Sequence, residues 1–113
     1  MAKVIPRLGL VSTDMKKIRV VDLEKLRRVL ENLELMEPIY KYFLSNSIVS
    51  ARVSMYPHPD GVTIKGVDER QWLYVRLRSA DGMEYDAALW KIINIATTHS
   101  RAFHEIAKCI EVG

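Results

Sequence analysis

Apolar positions in the last quarter of the chain recur at helical spacing. Leu89, Ala96, Phe103 and Ile110 fall seven apart, and Ile92, His99 and Ile106 form a second series three residues later. This 3-4-3-4 spacing puts all these side chains on one helical stripe. Ile93 and Ala107 widen it. With Asp86 as its cap, the pattern predicts one long C-terminal helix over Asp86 to Val112. At roughly 1.5 Å per residue such a rod is about 38 Å long. A domain of this size has a radius of gyration near ~13 Å. Part of the stripe is therefore expected to need a partner, and Leu89, Trp90, Ala96, Phe103 and Ile110 are the candidate self-association residues. Thr97-Thr98-His99-Ser100 is the weak point of the rod, because β-branched residues and serine are modest helix formers. Ser100 suits the cap of a fresh helix from Arg101.

Upstream, Asp22 is a good N-cap for a helix carrying Leu23, Leu26, Leu30 and Leu33 at 3-4-3 spacing. Glu37-Pro38 is the expected junction with a second helix, which bears Ile39, Tyr40, Phe43 and Leu44 and runs to about Ser45. The period then changes to two. Val49, Ala51, Val53 and Met55 alternate with Ser50, Arg52, Ser54 and Tyr56, which predicts a half-buried strand. Pro57-His58-Pro59-Asp60-Gly61 reads as a turn, followed by a second strand over Val62 to Lys65. Leu73, Val75 and Leu77 alternate with Trp72, Tyr74, Arg76 and Arg78 in a third, and Asp81-Gly82 turns into a short fourth over Met83 to Tyr85. The predicted class is α+β: two N-terminal helices, a three- to four-stranded antiparallel meander, and the long C-terminal helix packed on one sheet face. Residues 1–20 are expected to be a basic arm or short hairpin, and 21–113 a single domain.

Charge changes this picture in one place. The chain of 113 residues has a formal net charge of +3 and a pI near 9.1. Residues 1–20 hold Lys3, Arg7, Lys16, Lys17 and Arg19 against Asp14 alone, so the excess belongs to the arm and the body is near neutral. Binders of duplex backbone usually carry their basic face on the folded body. One cysteine, Cys109, allows no internal disulfide, and the longest apolar runs are too short for a membrane helix. The N-terminal stretch is a poor signal peptide, and a cytoplasmic protein without cofactor is expected. One Gln and three Asn is a low amide content, as in proteins from hot environments.

Catalytic and metal patterns are weak. His99, His104 and Cys109 are five apart, whereas ligands on one helical face sit three or four apart. No cysteine pair has zinc-site spacing, and no glycine-rich phosphate loop occurs. Cys109 falls in the last turn of the predicted helix, where the dipole disfavours a thiolate. His58 and Asp60 straddle Pro59 with no nucleophile beside them. No catalytic or metal residue is assigned.

The informative surface is the second face of the predicted sheet, which would show Arg52, Tyr56, Lys65, Trp72, Tyr74, Arg76 and Arg78. Aromatics beside arginines anchor protein partners or stack unpaired bases. The first expectation is a non-enzymatic accessory protein that binds itself, a larger protein assembly such as a filament or multisubunit complex, or both. The alternative is a single-stranded RNA- or DNA-binding subunit using the arm residues Lys3, Arg7, Lys16, Lys17 and Arg19. A small hydrolase is the third reading.

Overall fold

In the computed structural model the described residues are 15–113. Four helices and one face of a five-stranded mixed sheet share a single hydrophobic core. A 3-10 turn, Met15–Lys17, leads into β1 (Ile18–Val20). Helices α1 (Leu23–Leu30) and α2 (Leu33–Tyr40) follow, then β2 (Ile48–Ile64), β3 (Gln71–Ser79) and β4 (Glu84–Ala88). The chain closes with α3 (Leu89–Ala96), α4 (Ser100–Ala107) and β5 (Ile110–Val112). The sheet order is β4-β3-β2-β1-β5. Among the described residues only the β1–β2 pairing is parallel.

This architecture corrects the expected antiparallel meander with one long terminal helix. The C-terminal stripe is cut into α3 and α4 at Thr97–His99, and its last turn is the strand β5. The threonines make the break. Thr97 Oγ1 donates to Asn94 O at 2.7 Å and Thr98 Oγ1 donates to Ile95 O at 2.8 Å, occupying carbonyls at the end of α3. His99, not Ser100, takes the cap position of α4, and its side chain makes no cap hydrogen bond. Both helices still face the same core, so the apolar period survives the interruption. Leu89 and Ala96 are 0% exposed, Phe103 6% and Ile110 8%, while Trp90 is half-buried against the core. The stripe expected to serve self-association is consumed inside one chain.

The N-terminal helices also divide elsewhere than expected. The boundary falls at Asn32, whose Oδ1 accepts from Leu35 N at 3.2 Å, and Pro38 lies inside α2. Pro38 lacks the N–H that would pair with Glu34, and both residues are exposed, where water can satisfy the free carbonyl. Asp22 caps α1 by accepting from Lys25 N at 3.0 Å. Tyr40 is buried among these helices and donates its hydroxyl to Leu30 O. Burial pushes the Tyr40 hydroxyl well above its ordinary pKa.

The predicted turn at Pro57–Gly61 does not reverse the chain. Residues 48–64 are one strand, and Gln71 pairs with both Pro57 and Val62 across a bulge. At about 3.3 Å per residue a straight strand of that length would span roughly 56 Å, yet the longest dimension of the molecule is 38 Å. The strand must bend, and the bulge is where it does so. Its first part pairs with β3, and Thr63 and Ile64 then pair with β1. The bulge is held from both sides. His58 N donates to Arg70 O at 3.1 Å, while Arg70 Nη1 donates to Lys16 O at 2.9 Å and to Gly61 O at 3.1 Å. Lys16 Nζ reaches Asp60 at 3.2 Å. A Cβ on Gly61 would lie 2.0 Å from Gln71 O, so no larger residue fits without moving backbone.

Beyond the stretch that meets β1, β2 has no second neighbouring strand among the described residues. Glu31 at the end of α1 takes over there, and its Oε2 accepts from Val53 N at 2.8 Å. Residues 15–20, counted in the predicted arm, are likewise part of the body: Met15, Ile18 and Val20 are core residues, and β1 is central to its end of the sheet. Lys3 and Arg7 lie outside the described residues.

Gly61→Ala should lower unfolding free energy by about 3 kcal/mol through forced overpacking. Gly66→Ala, at a position with φ +86° and open space around it, should cost only about 1 kcal/mol of backbone strain. Urea unfolding of the two variants tests the difference, and equal losses would show that the bulge does not depend on the missing side chain.

Candidate functional site

Alternation along β3 sends Leu73, Val75 and Leu77 into the core and leaves Trp72, Tyr74, Arg76 and Arg78 on the opposite face. Register sets the neighbours. On β2, Tyr56 lies opposite Trp72, Ser54 opposite Tyr74, Arg52 opposite Arg76 and Ser50 opposite Arg78. On β4, Ala88, Asp86 and Glu84 lie opposite Tyr74, Arg76 and Arg78. The sheet therefore brings together six of the seven residues expected on this face: Arg52, Tyr56, Trp72, Tyr74, Arg76 and Arg78. Lys65 stands apart. It follows the last residue of β2, beyond the bulge, and its backbone N–H donates to Val20 O at 3.0 Å.

One end of the face is aromatic. Tyr56 packs edge-on to Tyr74 with ring centres 6.1 Å apart and to His58 at 6.1 Å, and His58 meets Trp72 at 5.2 Å. Tyr56 is 46% exposed, whereas Trp72 is half-buried with part of its ring against the core. His58 was not among the residues expected here, because its segment reads as a turn. Two residues after Tyr56 in an unbroken strand, it points the same way; continuing the alternation through Pro57 would have found it. Asp60 N donates to His58 Nδ1 at 3.1 Å, so the neutral ring carries its proton on Nε2.

The other end is charged but self-paired. Arg76 grips Asp86 with two bonds, Nε to Oδ1 at 2.8 Å and Nη2 to Oδ2 at 3.0 Å. Arg78 Nε and Nη2 donate to Glu84 Oε2 at 3.2 and 2.8 Å. The Arg76 guanidinium also lies 5.9 Å from the Tyr74 ring centre. Hydrogen bonding to Arg76 holds the Asp86 carboxyl below its ordinary range, and the same contact pushes Arg76 up. Arg52 is the one arginine of this group without an acidic partner among the described residues. Two of the arm cations, Arg19 and Lys16, are paired in the same manner. Arg19 pairs with Glu111 at 3.3 Å across the β1–β5 ladder, and Lys16 with Asp60. Lys17 is exposed in the 3-10 turn.

The residues weighed for chemistry do not converge. Cys109 is buried, its Sγ lies 3.6 Å from Glu105 O, and burial raises its thiol pKa, which suppresses the nucleophilic thiolate. His99 sits at the α3–α4 junction, edge-on to Tyr42 at 6.0 Å, while His104 is exposed on α4. Among the described residues no three His, Cys, Asp or Glu side chains group as a metal site, and no helix is long and apolar enough to cross a membrane. No family model, curated protein or solved structure matches the chain.

Two outcomes follow from the paired charges. The double substitution Glu84→Gln and Asp86→Asn should free both arginines and create heparin retention that is absent or weaker in the parent, at about 50 mM salt, and that is lost by about 200 mM. A carboxyl held low in the fold adds stability above its unfolded pKa of about 3.9 and surrenders it as pH falls through the folded value. Asp86 and Asp81, whose carboxyl Ser79 Oγ–H holds low, both act in this direction. Urea midpoints should therefore drop at acid pH, and Asp86→Asn should flatten that slope modestly, as befits an exposed pair.

Proposed function

We propose that this chain is a non-enzymatic accessory protein that binds a larger protein assembly through the open face of its sheet. The observation that carries the reading is the internal neutralisation of Arg76 by Asp86 and of Arg78 by Glu84 beside an aromatic group. A surface built for phosphate backbone would keep its cations available. Here the aromatic rings are fixed against one another, with charge pairs at one side and Arg52 free. Rigid aromatic anchors with a polar rim are the usual anatomy of a protein interface.

Tyr56, Tyr74 and Trp72 are the anchors in this reading. His58 Nε2–H supplies a directed donor among them, and Arg52 is the charge available to a carboxylate on the partner. Self-association through Leu89, Ala96, Phe103 and Ile110 forms no part of it, since those side chains are spent in the core.

The test is affinity capture from native extract followed by direct binding of the captured protein in purified form. Tyr56→Ala and Arg52→Glu change exposed side chains, so circular dichroism should show an unchanged fold. Each should weaken purified-partner binding about thirtyfold, the effect of losing one hot-spot residue worth about 2 kcal/mol. Lys65→Ala should bind like the parent. Full binding by both face variants would remove this function.

A further inference from the structure

On the helical side, across the core from the sheet face, a cleft of about 330 Å³ opens between α1, α2 and α4. Lys25 and Arg28 of α1 and Arg101 of α4 line it, with Val29 and Leu35 as apolar wall. Asn32 stands at the junction of α1 and α2. We propose that this cleft is a binding site for a small phosphorylated molecule, held by its phosphate.

Charge allocation is the first argument. Three cations share the cleft with one carboxylate, Glu105, which Lys108 already engages at 3.3 Å. Lys25 and Arg101 have no acidic partner within salt-bridge distance among the described residues. Arg28 is bonded only to Glu24, at 3.5 Å on an open helix surface, a pair weak enough to exchange. This is the reverse of the sheet face, where strand neighbours neutralise the arginines. Like charges gathered in one concavity repel, and a bound dianion relieves that repulsion.

The second argument is donor direction. Asn32 Oδ1 is committed to Leu35 N as the α2 cap, so its amide NH₂ remains the group to offer. Arg28 and Arg101 bring planar forks that match phosphate oxygens, and Lys25 brings a mobile point charge. Arg101 also lies in the first turn of α4, an eight-residue helix with no side-chain cap, whose amide end adds positive potential where a cation would otherwise be disfavoured. The third argument is size. A volume near the lower end of ordinary ligand pockets suits a small phosphomonoester.

The experiment is an NMR titration of the full chain at constant ionic strength. Inorganic phosphate and glycerol 3-phosphate are the probes, and sodium acetate is the control. The expected result is saturable shifts in the Asn32 side-chain amide and the Arg28 and Arg101 Nε–H signals, with acetate inert. Tighter binding of glycerol 3-phosphate assigns the site to organic phosphomonoesters, and equal binding assigns it to free phosphate. The variant pair Lys25→Met and Arg101→Met should weaken binding at least tenfold, while Arg52→Met on the sheet face should leave it unchanged. Shifts that never saturate, that acetate reproduces, or that survive the Lys25→Met/Arg101→Met pair would overturn the proposal. These readouts do not involve the sheet face, so they stand or fall apart from the accessory-protein reading.

Discussion

The backbone contact at Gly61 governs the whole arrangement. There β2 passes so close to Gln71 that only a residue without a side chain fits. The close passage lets a strand far longer than the molecule bend within it. Bending hands the end of β2 to β1, and β1 in turn accepts β5. Without the bend, β1 and β5 would have no sheet to join. Arg70, just before β3, secures the contact by donating to both Gly61 O and Lys16 O, tying the 3-10 turn ahead of β1 to the bulge with one side chain.

Much of this was legible in the pattern of residues, and the failures have two causes. The alternation over 51–56 and 72–78 located the strand segments and named which side chains face away from the helices, whereas Val49, expected on the buried side, is 54% exposed beside the register shift between Ile48 and Ser50. Pro57-His58-Pro59-Asp60-Gly61 misled because proline and glycine punctuate bulges as well as turns. Proline's fixed φ is compatible with extended backbone, and only the tertiary approach of Gln71 decides between reversal and bend. The C-terminal stripe misled in another way. Periodicity reports which side of a segment is buried, not whether the backbone is continuous. Two short helices packed on one core keep the apolar positions nearly in phase, so the break at Thr97–His99 left the stripe intact. Its chemical trace was the pair of threonines, whose hydroxyls compete for helix carbonyls.

Pairing could not be read from charge totals. Lys and Arg counts gave a near-neutral body and a basic beginning, yet the physical distinction lies elsewhere. On the sheet, cross-strand register puts Asp86 beside Arg76 and Glu84 beside Arg78, cancelling cations that linear spacing leaves 10 and 6 residues from their partners. On the helices, Lys25 and Arg101 are brought near one cleft from segments distant in sequence, and the one carboxylate beside them, Glu105, is engaged by Lys108. Tertiary structure thus leaves Arg52 as the available cation on the aromatic face and gathers Lys25 and Arg101 on the opposite side of the core. A protein with a formal charge of only +3 can in this way hold one neutralised surface and one electropositive hollow at once.

The bend also selects the chemistry of the aromatic group. Because β2 stays extended through Pro57 and Pro59, His58 remains in line with Tyr56 and reaches Trp72. In a hairpin at the same residues its ring would leave the sheet with the turn. The bulge then supplies the Asp60 N–H that occupies Nδ1, which leaves Nε2–H as the donor of the neutral ring. A backbone irregularity forced by strand length thus places a histidine among tyrosines and a tryptophan and fixes which of its nitrogens can donate. The geometry that keeps the chain within its own dimensions also gives its open face direction.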